Sequence, residues 1–469
     1  MATAAGDAAR PRAGPTASLP AGARAWAVFQ GARDPSGLLL NIYIFMPYFA
    51  ATVVGDAVRG QALVAEIATV GGVVVALTAP LLGAALDGLG ARKPWIALVT
   101  LLHAVALASL WWVEPRGAGL SIAASAAVLV AVGVLFQWGD VLFGALLPQA
   151  APPALTGRAS GLAMALGNLG SVLALVFTLW AFVLPGKVAL PFVPTAPLLG
   201  LDSARFEPER FTGPLCGLVL MAGVVPLLLL TPDARRSTIG AIAAMRRAPG
   251  ELLRSFGVIA RDRDGLAFLL ARMIYTDGLA TLMIFTGVYT AGVLGWGALD
   301  LLVFGILISA GAATGGVLCG WLDGRIGPRR AVIVELCLVM AGAAAQLSLG
   351  RDQLFFLPYD AHPIWNGPVF RTLPDLLYLL FGLITGMGIC ATFGSSRTLL
   401  VRIAPPERLG AYFGLFALSG QATAWLGPLL VGVVTAASGS QRAGFAVVLA
   451  LTGLGLAGLR FVRGGDVSR

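Results

Sequence analysis

The sequence carries little charge and few of the side chains on which catalysis and redox chemistry depend. Of its 469 residues 12% are charged, about half the share found in ordinary globular chains. It has two histidines and four cysteines, and these form no Ser/His/Asp or metal-ligand motif. No G-x-x-x-x-G-K-[ST] run is present, which argues against an ATP site. We therefore predict that the chain is not an enzyme, uses no cofactor and holds no metal.

The beginning of the chain lacks the apolar stretch of a secretory signal peptide. We expect residues 1–25 to be a disordered cytoplasmic tail. A folded basic domain is also missing, so the net charge of +9 does not predict nucleic-acid binding.

The sequence is instead rich in long hydrophobic runs, and 58% of its residues are hydrophobic. Runs such as WIALVTLLHAVALASLWWV can cross the hydrocarbon core as helices of about twenty residues. We predict an all-α polytopic membrane protein with twelve spans. They lie near 35–55, 62–86, 94–113, 121–147, 160–184, 212–231, 266–292, 299–322, 330–349, 374–395, 410–436 and 442–462. The cysteines fall in these spans and are expected to pack as small apolar residues.

Basic residues are distributed unevenly between the predicted loops. Placing both termini in the cytoplasm puts most of the 32 lysines and arginines on the inner side, as the positive-inside rule requires. We expect a monomer in the inner cell membrane. The predicted domains are the tail 1–25, a six-helix bundle 26–231, a basic linker 232–265, a second bundle 266–462 and a tail 463–469. The linker is either an amphipathic helix on the anionic inner leaflet or a solvated connection.

A hairpin is written twice, half the chain apart. LLPQAAPPALTGRASGL at 146–162 and LLVRIAPPERLGAYFGL at 399–415 align without a gap. Each would join one helix to the next, fourth to fifth and tenth to eleventh, with prolines ending the first helix. The shared residues are Pro152, Pro153, Gly157 and Gly161, and Pro405, Pro406, Gly410 and Gly414. Duplication is a better explanation than coincidence.

A second repeated segment follows the second and eighth predicted helices. GAALDGLGARKPW contributes Gly83, Asp87, Gly90, Arg92 and Lys93, and GWLDGRIGPRR contributes Asp323, Gly327, Arg329 and Arg330. A carboxylate at the C-terminal end of a helix is disfavoured by the helix dipole. We therefore expect Asp87 to have a basic side chain or another helix N-terminus as its partner.

These loops resemble the signature G-x-x-x-D-x-x-G and its basic residues in the major facilitator superfamily. The resemblance implies two pseudo-symmetric six-helix bundles, a loop that latches them on the cytoplasmic side, and helix hairpins that gate a central site. RDPSGLLLNIYIFMPYFATVVGD, IYTDGLATLMIF and SSRTLLVRIAP resemble the branch that contains vacuolar amino-acid effluxers linked to autophagy. The branch often has an Asp-Trp-Ala-Asn-type first helix, whereas Asp34 here precedes Pro-Ser-Gly.

A charged side chain inside the bilayer indicates a functional or structural role, because inserting it at a helix centre costs about 2.5–3.5 kcal/mol. Asp277 is the strongest candidate. It is either a carboxylate linked to proton or substrate binding or a structural partner of Arg272. Asp34 is either part of the solute pathway or an interfacial pair with Arg33. Asp140 lies in the cavity or, as we favour, binds a nearby loop arginine.

Other polar residues in predicted spans face the same alternatives. Glu335, like Asp140, lies in the cavity or, as we favour, binds a nearby loop arginine. His103 is a proton relay or, as we favour, a packing residue. The amides Asn41, Gln137, Asn168, Gln346 and Gln421 either line the cavity or bind neighbouring helices; we select Asn41, Asn168 and Gln421 as lining candidates.

We accordingly predict a secondary active transporter that moves a small solute by alternating access, with proton coupling. Amino-acid efflux is what the narrower resemblance implies. The alternative is an assembly factor, a lipid- or pigment-delivery factor or a sensor on the same fold. The two differ in whether polar side chains converge on an aqueous cavity or face lipid through a lateral opening.

Overall fold

A computed structural model describes residues 18–89, 91–152, 155–186, 193–233, 262–404 and 422–463, with the isolated positions 243, 246, 250, 412, 415, 416, 419 and 420. At positions 80, 83–89, 156–158, 160 and 161 it describes the backbone alone. The helices are α1 Ala21–Leu38, α2 Ala57–Leu89, α3 Lys93–Ser109, α4 Ile122–Ala150, α5 Thr156–Thr178, α6 Glu207–Leu230, α7 Arg263–Tyr289, α8 Ala298–Ile326, α9 Pro328–Leu347, α10 Leu373–Ile403, α11 Leu426–Ser438 and α12 Gln441–Gly458. A short hairpin of β1 Gln353–Leu354 and β2 Leu357–Pro358 joins α9 to α10.

Within the described residues, eleven helical segments are long and apolar enough to cross a membrane, and α11 is a shorter apolar helix. The all-α prediction is confirmed. The predicted start of the first span is wrong, because α1 begins at Ala21, inside the predicted tail and well before residue 35. Its polar residues do not end the helix, since Arg33 is buried and paired within the bundle.

The first and seventh spans end in the same irregular way. Both widen into a π-helical turn, at Phe49–Val53 in the first and Thr290–Leu294 in the seventh. The first span contains a further π-helical turn at Leu39–Tyr43, followed by a break at Ile44, whose φ and ψ are −124° and −64°. Matching irregularities at matching places support the duplication inferred from the hairpins.

The helices pack as two bundles of six with the same neighbours. In the first, α1 contacts α5 and α6, α2 contacts α4, and α3 contacts α4 and α6. In the second, α7 contacts α11 and α12, α8 contacts α10, and α9 contacts α10 and α12. The two pseudo-symmetric bundles predicted from the sequence are therefore present.

The bundles meet mainly along α2 and α11. Gly72 lies against Trp425, where an added Cβ would come within 2.9 Å of the indole-bearing Cβ, and Gly432 lies similarly close to Ala65. A second contact joins α7 to the first span, because a side chain on Gly287 would clash with the carbonyl oxygen of Ile42. Small residues allow such close approach of helices in membranes.

Two faces of the molecule are distinguished below. The tail face is the one at which α1 begins and α12 ends. The loop face is the one at which the first span ends and α2 begins, and it carries the β1–β2 hairpin.

Candidate functional site

A cavity with two lobes lies between the bundles. The larger lobe, about 590 Å³, is lined by the first span and by α5, α7, α8, α9 and α10. The smaller lobe, about 390 Å³, is lined mainly by the first span and by α2, α4 and α7. Ile42 and Met283 line both lobes and so separate them. Both bundles thus contribute walls to one central space.

Neutral polar side chains are set among apolar walls in both lobes. Asn168 and Gln346 line the larger lobe, and the amide oxygen of Gln346 accepts a hydrogen bond of 3.3 Å from the Thr385 hydroxyl. Asn41 and Gln137 line the smaller lobe. The structure therefore places two of the three selected amides, Asn41 and Asn168, on the cavity wall, while Gln421 lies outside the described residues.

The cavity is closed toward the loop face by contacts between the bundles. The Gln61 amide on α2 is fully buried and donates to the Thr435 hydroxyl at 2.8 Å and to the Gln441 carbonyl at 3.1 Å. The Gln441 amide in turn donates to the Ala57 carbonyl at 2.8 Å. These bonds link the start of α2 to the end of α11 and the start of α12. Gln61 was not selected from the sequence, because one glutamine near a helix end carries no pattern.

Two of the polar side chains that line the larger lobe are exposed. Asn168 lies about midway along α5, and Arg397 lies near the tail-face end of α10. Arg397 was missed because the predicted span stopped at residue 395, whereas α10 continues to Ile403. It brings a cation to the mouth of the cavity. A predicted helix that continued past Ser395 and Ser396 would have included Arg397 among the candidates.

Arg33, Asp34 and Asp140 form a charge cluster between α1 and α4, in which Arg33 is buried and the Asp140 carboxylate is half exposed. The Arg33 guanidinium lies 2.7 Å from the Asp140 carboxylate and 3.5 Å from that of Asp34. It also stacks over Phe136, a residue of the smaller lobe, at 4.7 Å from the ring centroid. Asp34 accepts a further bond of 2.6 Å from the Gln30 amide. The expected Arg33–Asp34 pair is present, but the partner of Asp140 is an arginine within a helix rather than one in a loop.

Asp277 is buried, with 3% of its surface exposed, and holds the first turn of α11. One carboxylate oxygen accepts the backbone N–H of Gly427 at 2.9 Å, and the other is buried without a hydrogen-bond partner in the described chain. A carboxylate at a helix N-terminus interacts favourably with the helix dipole. Arg272 donates instead to the Phe416 carbonyl and the Ser419 hydroxyl, both at 2.6 Å. The alternative of an Asp277–Arg272 pair is therefore wrong.

Glu335 is fully buried at the junction of α8, α9 and α10. It accepts a hydrogen bond of 2.8 Å from the Ser395 hydroxyl, so the favoured loop-arginine partner is not what holds it. His103 is also buried and packs edge-on against Phe136 at 6.1 Å between ring centroids.

The repeated loops after α2 and α8 are joined to their own bundles in different ways. The backbone N–H groups of Arg92 and Lys93 donate to the Asp233 carboxylate at 2.9 and 3.1 Å. In the second bundle the Arg329 guanidinium donates to the Leu459 carbonyl at 3.3 Å. Gly327 has a φ of +82°, in the region that favours glycine. Each contact ties the start of a third helix of a bundle to the end of its sixth.

Several selected residues cannot be placed in full. Gly83 and Asp87 lie in the last turns of α2, and Gly157 and Gly161 in the first turns of α5, with backbone alone described. Pro152 is exposed just after α4, Asp323 is buried in the last turn of α8, and Arg330 lies in the first turn of α9. The positions outside the described residues are Gly90, Pro153, Pro405, Pro406, Gly410 and Gly414.

Comparison with known proteins identifies the family. A family model described as MFS/sugar transport protein matches residues 37–389, well over half of the chain. The chain belongs to this family. It is a multi-pass integral membrane protein and is not an enzyme. A second model, vacuole effluxer Atg22 like, matches residues 377–465 of this MFS chain.

Sequence relatives of the MFS chain include fungal proteins named autophagy-related protein 22. The protein from Cryptococcus neoformans is 26% identical over 187 residues, 39% of this chain and 32% of the relative. That from Yarrowia lipolytica is 26% identical over 211 residues, 44% of this chain and 33% of the relative. The chain thus spans about a third of the length of these curated relatives.

Solved structures share the fold of the MFS chain. The nucleoside transporter NupG superposes with a TM-score of 0.62 at 13% identity, over 94% of this chain and 98% of that one. A D-xylose-proton symporter gives a TM-score of 0.60 at 13% identity, over 94% and 95% of the two chains. At these identities the likeness establishes the fold alone.

Proposed function

We propose that this protein is a secondary active transporter that moves a small solute by alternating access. The observation that carries the proposal is the two-lobed cavity between the bundles, closed at the loop face by the Gln61, Thr435 and Gln441 contacts. A cavity shared by two quasi-rigid halves is what rocking of one half against the other requires. Its binding of solute must differ between the two states, or the solute would not shift their equilibrium.

The tail face is assigned to the cytoplasm of the inner cell membrane, and the described state to the inward-facing form. The positive-inside distribution of basic residues supports this orientation. The exposure of Arg397, which lines the larger lobe near the tail-face end of α10, supports the direction of opening. The protein acts as a monomer whose substrate site needs no second copy, because both of its walls come from one chain.

The solute class is a small polar metabolite such as an amino acid, moved outward and coupled to protons. Amide and hydroxyl groups of Asn41, Asn168 and Thr286 supply neutral hydrogen bonds. Arg397 at the mouth suits a carboxylate, since guanidinium binds carboxylate with two parallel bonds. The Atg22-like relatives supply the suggestion of export, and the D-xylose-proton symporter that of proton coupling. The Arg33 cluster lies behind Phe136, a residue of the smaller lobe.

The test is counterflow in proteoliposomes against a panel of amino acids and small metabolites, with and without an imposed pH gradient. Accumulation of a labelled solute would support transport, and dependence on the gradient would support proton coupling. The matched variants are Asn168→Ala, which should weaken solute binding, and Leu229→Ala, a lipid-exposed change on α6 that should not. Asp277→Asn decides whether its carboxylate takes part in coupling or only holds α11. Uniform failure of flux would turn us to the delivery-factor or sensor hypothesis.

A further inference from the structure

A second buried carboxyl site lies beside the larger lobe and takes no part in holding the bundles together. Glu335 on α9 is fully buried and receives one hydrogen bond, from Ser395 on α10. Its other oxygen is buried without a hydrogen-bond partner in the described part of the chain. Burying an ionised carboxylate without a cation is costly, so such a group takes up a proton instead.

The second carboxyl group of the site is Asp323 on α8. It is 9% exposed, and one of its oxygens is also buried without a partner among the described residues. Its charge acts on Glu335. The two carboxyl groups are connected through Ser395 and Cys319, and a second negative charge held nearby disfavours ionisation of Glu335.

A chain of polar atoms connects this pair to the cavity. The Ser395 hydroxyl that donates to Glu335 lies 3.4 Å from the Cys319 sulfur, and this sulfur lies 3.8 Å from the Asp323 carboxylate. Cys319 lines the larger lobe. The buried carboxyl group is therefore one hydroxyl and one thiol away from the space that holds the solute.

The surroundings favour a proton over a metal cation. Tyr275 on α7 and Cys390 on α10 are the further titratable groups near Glu335, and Tyr275 is engaged with the Ser396 hydroxyl at 2.7 Å. No group of three or more His, Cys, Asp or Glu side chains suited to a metal occurs among the described residues. A calcium ion takes six to eight oxygen ligands, more than two carboxyl groups and a hydroxyl provide.

Arginines surround the site but stand off from it. The charge of Arg272 acts on Tyr275, and the charge of Arg397 acts on Cys390. Tyr275 and Cys390, and not the arginines, are the neighbours of Glu335. On α9 itself, Arg329 and Arg330 lie at the helix start, six and five residues before Glu335 and so about a turn and a half away. The helix α12 packs on α9 and has Arg442 at its loop-face end, where it donates to Leu349, while Arg460 follows its tail-face end.

We propose that Glu335 and Asp323 form a proton-binding site, with the proton on Glu335 in this conformation, that exchanges with the larger lobe through Ser395 and Cys319. On release the proton passes to water in the lobe, and Glu335 remains as a carboxylate that Asp323 repels. Its coupling role rests on the proposed transport function, whereas proton binding itself does not. Asp277 lies outside this site, because its carboxylate holds the start of α11 instead.

The first experiment needs no solute. Infrared difference spectra of the purified protein in lipid, recorded across a pH series, report protonated carboxyl groups by their C=O stretch. Glu335→Gln should remove one titrating band, and the matched buried variant Asp277→Asn should leave that band in place. Asp323→Asn should move its midpoint to lower pH by about one unit, because removing a like charge eases ionisation.

Three results would overturn the proposal: a band that survives Glu335→Gln, a midpoint that Asp323→Asn leaves in place, or loss of the band on adding sodium at fixed pH. If Glu335→Gln does not fold, the shift of the band midpoint in Asp323→Asn decides whether the proton site exists.

A transport assay then distinguishes the proton-site proposal from the proposed transport function. Glu335→Gln should keep counterflow of a solute that the wild type carries and lose its accumulation under a pH gradient. Failure of flux in the wild type counts against transport and leaves the infrared result standing.

Discussion

The two bundles share one architecture but hold their buried charges in different ways. In the first, Arg33 is neutralised by the carboxylates of Asp34 and Asp140. In the second, Arg272 is held by a carbonyl and a hydroxyl, Asp277 by a backbone N–H, and Glu335 by a hydroxyl. The two bundles therefore share their helix packing, whereas the partners of their charged side chains differ. Among the described residues of the second bundle, Asp277 and Glu335 are held by a backbone N–H and a hydroxyl and not by a cation. This contrast is the basis of the proton site proposed above.

The largest effect is expected where removal of a cation leaves two carboxylates behind. Arg33→Met keeps most of the packing against Phe136 and Phe143 but strands Asp34 and Asp140. Asp34 is then left largely buried without its cation, whereas the half-exposed Asp140 carboxylate is solvated. The change should therefore cost about 3 kcal/mol, the low end for a broken buried pair. Thermal unfolding in detergent, followed by tryptophan fluorescence, measures the loss. Arg33→Met combined with Asp140→Asn should recover part of it, and an unchanged melting temperature for the single variant would refute the cluster.

Next in size is the loss of the carboxylate that holds α11. Asp277→Ala should destabilise the protein by about 2 kcal/mol, at the upper end for a helix cap because the site is buried. Asp277→Asn retains an acceptor oxygen for the Gly427 N–H and should cost less. The same unfolding assay compares them with Asp233→Ala, which removes the half-buried cap of α3 and should cost less than Asp277→Ala. Equal losses for alanine and asparagine at position 277 would contradict the role as a cap.

A smaller effect is expected for the arginine that neutral groups hold. Arg272→Met removes the guanidinium donor of the Phe416 carbonyl and the Ser419 hydroxyl, although Ser419 still donates to that carbonyl at 2.9 Å, and it strands no charge. The expected loss is about 1.5 kcal/mol, as for other buried polar groups that lose a partner. Arg272→Met and Arg33→Met are a matched pair. If both cost the same, the contrast between the bundles would be wrong.

The smallest effect concerns the contact at which the halves meet. Gln61→Ala removes two hydrogen bonds between the bundles at the loop face, for a total of about 1 kcal/mol in a membrane setting. Each bundle should keep its own stability, so the change appears in the balance of states. Distances between spin labels across the loop face should broaden toward longer values. Gln137→Ala, within the cavity wall of one bundle, should leave them unchanged.

Much of the architecture could be predicted because long apolar runs report membrane spans directly. The repeated hairpins also predicted the duplication. Partners of buried charges could not be predicted in the same way, since Arg33 and Asp140 are 107 residues apart and meet only after α1 and α4 are rotated into place. The cap by Asp277 was hidden too, because α11 begins at Leu426 inside what reads as one apolar span.

The contact between Gly287 and the Ile42 carbonyl lies closer to the loop-face end of the first span than to its tail-face end. The first span runs from Ala21 to Val53, so this contact lies roughly 30 Å from its tail-face end and about 16 Å from its loop-face end at 1.5 Å per residue. In the proposed rocking motion, a pivot at this contact would move the tail-face ends about twice as far as the loop-face ends. A small separation at the Gln61 contacts would then accompany a larger one at the tail face, and a bulkier residue at position 287 should hinder both.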